Sequence, residues 1–148
     1  MARLRPSWYV GTTLTLLSAG TGCSNPLEPA DLAGTYRATT FTVELPGAGR
    51  LDALSLGASI TLELRADGTT TGRLVLPPIP GFSTEPADED LSGTFSVTSA
   101  GRVKLSPAQT TFIQDFLFQP DGRELRAGYV FQDSQARQGN VQLTLTRQ

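Results

Sequence analysis

The chain has 148 residues with 12 basic and 14 acidic side chains, a formal net charge of −2, no His and one Cys. Without His, imidazole triads, proton shuttles and His zinc sites are excluded, and one Cys allows neither an intramolecular disulfide nor a thiolate metal cluster. The near-neutral charge offers no broad basic surface for nucleic acid. The length suits one domain, and 39% hydrophobic residues against 18% charged residues are enough to form a core.

The N-terminal segment has the pattern of an export signal. Arg3 and Arg5 provide a positive start, and the apolar stretch from Trp8 to Ala19 follows. This stretch is shorter than the roughly 20 residues that a membrane-spanning helix needs. Small residues then precede Cys23, and the segment resembles a bacterial lipoprotein signal, in which such a Cys is lipidated and becomes the new N-terminus. The alternative is an ordinary secretory signal that leaves Cys23 as a free thiol.

The lipoprotein resemblance implies a signal peptide over 1–22, lipidation at Cys23 and attachment to a membrane of the cell envelope. The expected location is the outer membrane, facing the periplasm or the surface. Ser24 to Asp31 is short, polar and contains two Pro residues, so we predict a tether over 23–32 and a folded domain over 33–148.

Period-two alternation of apolar and polar residues recurs along the rest of the chain and predicts strands. Turn signals at Asp67-Gly68 and Asp121-Gly122 separate some of them. The segment 46–57 is predicted to contain one helical turn at Leu51–Leu56, 110–114 another short turn, and 77–90 a Pro-rich extended flap. The eight predicted strands are Thr35–Leu45, Ser59–Arg65, Thr70–Leu76, Leu91–Thr98, Arg102–Leu105, Asp115–Gln119, Glu124–Gln132 and Val141–Arg147.

Eight sequential strands joined mostly by hairpins predict an all-β fold, a single antiparallel up-and-down eight-stranded β-barrel, because closure removes the exposed edges of the sheet. A sandwich and a half-closed barrel are the alternatives. Gly34-Thr35-Tyr36 opens the first strand and Thr146-Arg147 ends the last, which is similar to the lipocalin and avidin-like superfamily. In that superfamily an Arg or Lys near the end of the last strand packs over a Trp that opens the first.

The barrel geometry supports the same contact independently. In a closed eight-stranded meander the last strand runs antiparallel to the first, so its C-terminal end meets the start of the first strand. Tyr36 and Arg147 are therefore predicted to form a barrel-closing cation–π pair. The alternative for Arg147 is a solvated terminal charge.

The resemblance implies a non-catalytic binder of a small apolar or amphipathic molecule, held in the barrel interior. No base suited to activating a Ser or Thr nucleophile is present, and no enzyme activity, cofactor, metal or nucleic-acid partner is expected. Glu85, Asp88, Glu89 and Asp90 offer oxygen atoms for calcium, but a solvated flap is the favoured interpretation. The side chains predicted to line the interior are Tyr36, Leu62, Leu64, Phe95, Phe116, Phe118, Tyr129, Phe131 and Leu143.

A second function class remains open, a structural or interaction lipoprotein of the envelope with a solid barrel core. The size of the interior side chains distinguishes the two classes. Leu62, Leu64 and the aromatic residues fill space, whereas Ala38, Thr40 and Gly72 are predicted to leave room for a ligand.

Overall fold

The computed structural model describes residues 26–109, 111–132 and 136–148. The predicted signal peptide and Cys23 lie outside these residues. One helical turn, α1, precedes the strands, and a 3-10 turn over Phe112–Asp115 precedes the eighth strand. In chain order the elements are α1 Pro29–Leu32, β1 Gly34–Leu45, β2 Gly49–Asp52, β3 Ser59–Leu64, β4 Thr69–Leu76, β5 Ala87–Asp90, β6 Gly93–Val97, β7 Val103–Pro107, β8 Leu117–Asp121, β9 Glu124–Gln132 and β10 Gln138–Arg147.

Eight of the strands close an antiparallel barrel in the order β1, β3, β4, β6, β7, β8, β9, β10, and β10 returns to pair with β1. Each of these strands pairs with the next along the chain, which is the up-and-down arrangement. The predicted all-β, eight-stranded barrel is confirmed, and each predicted barrel strand corresponds to one of these eight.

The strands β2 and β5 are additional to the predicted set. The first half of β1 pairs with β3, and its second half pairs with β2. In the same way β4 pairs with β6 at its start and with β5 at its end. Both long strands extend beyond their barrel partner, and the short strands supply hydrogen bonds that the exposed halves would otherwise lack.

The predicted helical turn and extended flap are therefore corrected in part. Leu51 belongs to β2, and only 53–57 forms a tight turn, in which Leu56 N donates to the Ala53 carbonyl at 3.1 Å. The last four residues of the predicted flap form β5. Of the turn predicted at 110–114, Phe112–Asp115 is a 3-10 turn and Thr110 lies outside the described residues.

The two ends of the barrel differ in their connections. Tight turns follow β3, β6 and β8, so all of them lie at one end, which we call the hairpin end. The longer connections after β1, β4 and β7 lie at the opposite end, which we call the flap end because the segment 77–86 is there. This division follows from the antiparallel strand order alone.

A bulge in β1 changes which residues face the interior. Tyr36 and Ala38 are buried before it, whereas Phe41 and Val43 are buried after it, and the pairing with β10 shifts between Ala38 and Thr40. Thr40 therefore lies opposite Thr144 on the outer face. Its predicted interior position is wrong, because the bulge reverses the alternation.

Gly72 also leaves no room for a ligand. A Cβ at this position would lie 2.3 Å from the Thr61 carbonyl oxygen and 3.0 Å from the Leu62 Cα. The missing side chain allows β3 to approach β4 closely instead of opening space inside the barrel.

The described part of the segment predicted as a tether packs against the barrel. Leu32 is 5% exposed and belongs to the core, and Leu27 packs against the core. The turn α1 contacts β6, and the Tyr36 hydroxyl donates to the Leu32 carbonyl at 2.8 Å. From Leu27 onward, the chain thus packs against the hairpin end of the barrel. In the described part of the chain, no helix has the length and apolar character needed to cross a membrane.

Candidate functional site

The barrel closes where β1 pairs with β10, and this pairing brings Tyr36 and Arg147 together. Tyr36 lies opposite Arg147 in register, and the Arg147 guanidinium carbon is 5.5 Å from the ring centroid, within cation–π range. Arg147 Nε donates to the Tyr36 hydroxyl at 3.2 Å, and Nη2 donates to the Asp31 carbonyl at 2.8 Å. One guanidinium thus links β10, β1 and α1.

The close approach of Arg147 explains why a Gly opens β1. Its φ is +154°, and a Cβ there would lie 3.0 Å from Arg147 Nε and 3.2 Å from Cδ. The Arg147 side chain occupies the space above the Gly backbone on its way to Tyr36. The Gly-x-aromatic pattern therefore has a steric basis in this chain.

Seven aromatic side chains form a continuous group in the half of the barrel toward the flap end, which we call the aromatic cluster. Its ring centroids lie 5.1–6.1 Å apart in six contacts, which are typical spacings for aromatic pairs. The cluster consists of Phe41, Phe82, Phe112, Phe116, Phe118, Tyr129 and Phe131.

The cluster contains four of the nine side chains predicted to line the interior. Phe116 and Phe118 are fully buried, and their ring centroids are 5.9 Å apart. Tyr129 and Phe131 are partly buried, and Tyr129 lies 5.5 Å from Phe116. Because these rings contact one another, the surfaces predicted to meet a ligand meet other side chains.

The other five predicted side chains are also in the core but outside the aromatic cluster. They are at most 5% exposed, and Tyr36 lies opposite Leu62 across β1 and β3, while Leu143 lies opposite Phe41. This second group comprises Tyr36, Leu62, Leu64, Phe95 and Leu143.

A cleft of about 450 Å³ opens at the flap end, and we call it the flap cleft. Phe82 and Phe131 form its aromatic wall, with centroids 5.1 Å apart and planes at 66°. The Phe131 ring lies directly over Gly139, where a Cβ would meet the ring at 2.2 Å. The remaining lining residues are Leu45, Pro46, Ala48, Pro80, Gly81, Thr84, Gln132 and Arg137.

The flap is a folded loop at this end. Ile79 N donates to the Ser83 carbonyl at 2.8 Å, and Ser83 N donates back to the Ile79 carbonyl at 2.9 Å. The Ile79 side chain is fully buried, while Phe82 contacts Phe112 and Phe131. Phe82 was not among the predicted site residues, and its only sequence signal is a Phe inside a segment of Pro and Gly. Phe112 was also outside that set, although it belongs to the apolar run 112–118, for which core filling was the favoured interpretation.

The acidic residues after the flap contact separate partners. Two hydrogen bonds from the Arg73 guanidinium hold the pKa of Asp88 below its usual range. Hydrogen bonds from the Ser92 hydroxyl and backbone N–H lower the pKa of Asp90. Glu89 lies opposite Leu74, burial raises its pKa, and its Oε2 has no hydrogen-bond partner among the described residues. Within residues 26–109, 111–132 and 136–148, no three potential metal ligands lie together.

Comparisons with protein-family models, curated proteins and solved structures found no match to this chain. The likeness to the lipocalin barrels rests on the strand order, the closure between β10 and β1, and the Tyr36–Arg147 contact. The structure is consistent with a lipocalin-like fold.

Proposed function

We propose that the protein is an exported, lipid-anchored and non-catalytic β-barrel that binds a small apolar or amphipathic molecule at its flap end. The observation that carries the proposal is the flap cleft, where the aromatic cluster reaches the surface. Phe82 and Phe131 are only partly buried there, whereas Phe41, Phe116 and Phe118 have no exposed surface. Concave sites with apolar walls and a few polar groups are typical of small-molecule binding.

The packing of the interior favours the flap end over the middle of the barrel. In the middle a ligand would have to displace rings that contact each other, such as Phe116 and Phe118. At the flap end the loop's own backbone bonds join Ile79 to Ser83, so displacement of the loop would not unpair a barrel strand. Outward movement of Phe82 would uncover Phe112 and enlarge the cleft toward the interior.

The lining of the cleft indicates the chemical class of the ligand. Phe82, Phe131 and Leu45 offer apolar surface, while Thr84 and Gln132 offer hydroxyl and amide groups. An amphipathic molecule matches this division, with its apolar part against the rings and its polar part toward Thr84 and Gln132.

Phe82→Ala is expected to weaken the binding of an apolar fluorescent probe by about tenfold, because about 1.4 kcal/mol of aromatic contact is lost. Fluorescence titration of the purified protein with 1-anilinonaphthalene-8-sulfonate measures this. Leu117→Ala is the control, since Leu117 is 43% exposed on β8 and does not line the cleft. Equal probe affinity in the parent and both variants would contradict a site at the flap cleft.

Cys23→Ser is expected to abolish incorporation of radiolabelled fatty acid and to release the protein from membranes. The lipoprotein-like segment before Cys23 motivates this expectation. Membrane fractionation and fatty-acid labelling of the parent and variant measure it, with Ser24→Ala as the neighbouring control. A Cys23→Ser protein that stays with the membranes would overturn the anchor.

The second candidate is a structural or interaction lipoprotein with a solid barrel core. The mutual contacts of the buried rings favour it, and large apolar side chains on the outside provide a surface for partners. Absence of bound molecules in native mass spectra, together with no probe binding, would support this candidate over the first. The large apolar side chains on the outside are Leu56, Leu117 and Val130.

A further inference from the structure

The path of the N-terminal segment determines where the chain leaves the barrel. The turn α1 lies at the hairpin end, where Arg147 Nη2 donates to the Asp31 carbonyl and the Tyr36 hydroxyl donates to the Leu32 carbonyl, both at 2.8 Å. Leu27 also packs against the core. The residues that precede Leu27 are therefore joined to the hairpin end and not to the flap end.

The length of chain between Cys23 and Leu27 limits how far the barrel can stand from a lipid surface. Four peptide steps of 3.8 Å span at most about 15 Å. The strand β1, with 12 residues, is about 40 Å long at 3.3 Å per residue, so the flap end lies about 30 Å beyond the hairpin end in a tilted barrel. A lipid on Cys23 would hold the hairpin end within about 15 Å of the headgroups.

The charge distribution along the barrel favours the same orientation. The half toward the hairpin end, with α1, has nearly balanced charges, seven bases against six acids. The bases are Arg37, Arg65, Arg102, Lys104, Arg123, Arg126 and Arg147, and the acids are Glu28, Asp31, Glu63, Asp67, Asp121 and Glu124. The half toward the flap end has Arg50, Arg73 and Arg137 as its bases against a larger set of acids. These acids are Glu44, Asp52, Glu85, Asp88, Glu89, Asp90 and Asp115. An anionic headgroup layer would repel these acidic side chains within about 10 Å, the screening length at about 0.1 M salt.

We propose that the hairpin end of the barrel faces the surface of the supporting bilayer and that the flap cleft opens away from it. The inference rests on the proposed lipid anchor at Cys23. The short connection holds the hairpin turns against the headgroups, and the acidic flap end projects into the aqueous compartment. A molecule in the flap cleft is then exchanged with that compartment and not with the bilayer that carries the anchor.

Energy transfer from a single Trp to the lipid surface tests the orientation. The chain has one Trp, Trp8, inside the predicted signal, so the processed protein has none. Ala100→Trp places a reporter in an exposed turn at the hairpin end, and Ala48→Trp places one in an exposed turn at the flap end. The full-length chain is processed in cells and transferred to phosphatidylcholine–phosphatidylglycerol vesicles that contain dansyl-phosphatidylethanolamine.

Transfer is expected to be several-fold stronger from Ala100→Trp than from Ala48→Trp. Equal transfer from both reporters, stronger transfer from Ala48→Trp, or no transfer from either would overturn the proposed orientation. Failure of the anchor is recognised separately, because the parent protein would then retain Trp emission or would not bind the vesicles.

A longer tether tests the cause of the orientation. Insertion of 20 Gly and Ser residues between Asn25 and Pro26 adds a flexible span of about 25 Å. The difference between the two reporters is then expected to shrink. An undiminished difference would overturn the claim that the short connection sets the orientation.

Discussion

Gly72→Ala is expected to lower the free energy of unfolding by about 3 kcal/mol, at the upper end of the usual cost of overpacking. The added Cβ would lie 2.3 Å from the Thr61 carbonyl oxygen and 3.2 Å from the Thr61 carbonyl carbon. These atoms belong to the backbone of β3, so no rotation of a side chain relieves the contact. The two strands must separate, and the hydrogen bonds between β3 and β4 weaken.

Urea denaturation followed by far-ultraviolet circular dichroism measures this loss, and Gly128→Ala is the matched control. Gly128 is also in a strand, but a Cβ there would lie 3.7 Å from the Val141 carbonyl oxygen, an ordinary contact distance. Its replacement is expected to change the free energy of unfolding by less than about 0.5 kcal/mol. Similar losses in both variants would contradict a specific close approach at Gly72.

Gly72 also marks the position where β4 changes partners. The residues after it pair with β5, and the residues before it pair with β6. Leu91 N donates to the Gly72 carbonyl at 3.0 Å between these two pairings. The period-two pattern predicted β4 but not this role, because alternation reports which face a residue occupies and not how closely a neighbouring strand approaches.

The barrel could be predicted because alternating apolar residues recur in most of its strands, as in β3, β9 and β10. The strands β2 and β5 carry no such signal, since Gly49–Asp52 and Ala87–Asp90 have the composition of exposed loops. Their formation depends on the lengths of β1 and β4, which extend past their barrel partners. That dependence is tertiary and is not encoded in the local pattern.

The candidate site was predictable where the alternation along a strand shows which side chains face the interior. The alternation along β9 predicted that Tyr129 and Phe131 face the interior, and both belong to the aromatic cluster. Phe82 and Phe112 lie in connections, where no periodicity indicates a face. The bulge at β1 likewise placed Thr40 outside, because one extra residue reverses the alternation.

Arg147→Ala is expected to lower the free energy of unfolding by about 2 kcal/mol. The change removes the cation–π contact with Tyr36, the hydrogen bond to its hydroxyl and the hydrogen bond to the Asp31 carbonyl. The apolar stem that covers Gly34 is also lost. Because these contacts join β10, β1 and α1, both the barrel seam and the N-terminal turn are weakened, and equilibrium unfolding in urea measures the effect.

A conservative variant separates the contacts of the guanidinium from its charge, and an exposed Arg serves as the control. Arg147→Lys keeps the charge and much of the stem but loses the planar fork that reaches Tyr36 and Asp31 together, so an intermediate loss is expected. Arg37→Ala is the control, since Arg37 is an exposed residue on the same strand as Tyr36. Its replacement is expected to cost less than about 0.5 kcal/mol. If Arg147→Ala were as mild as Arg37→Ala, Arg147 would be a solvated terminal charge, and the lipocalin-like resemblance would retain only the strand order and closure.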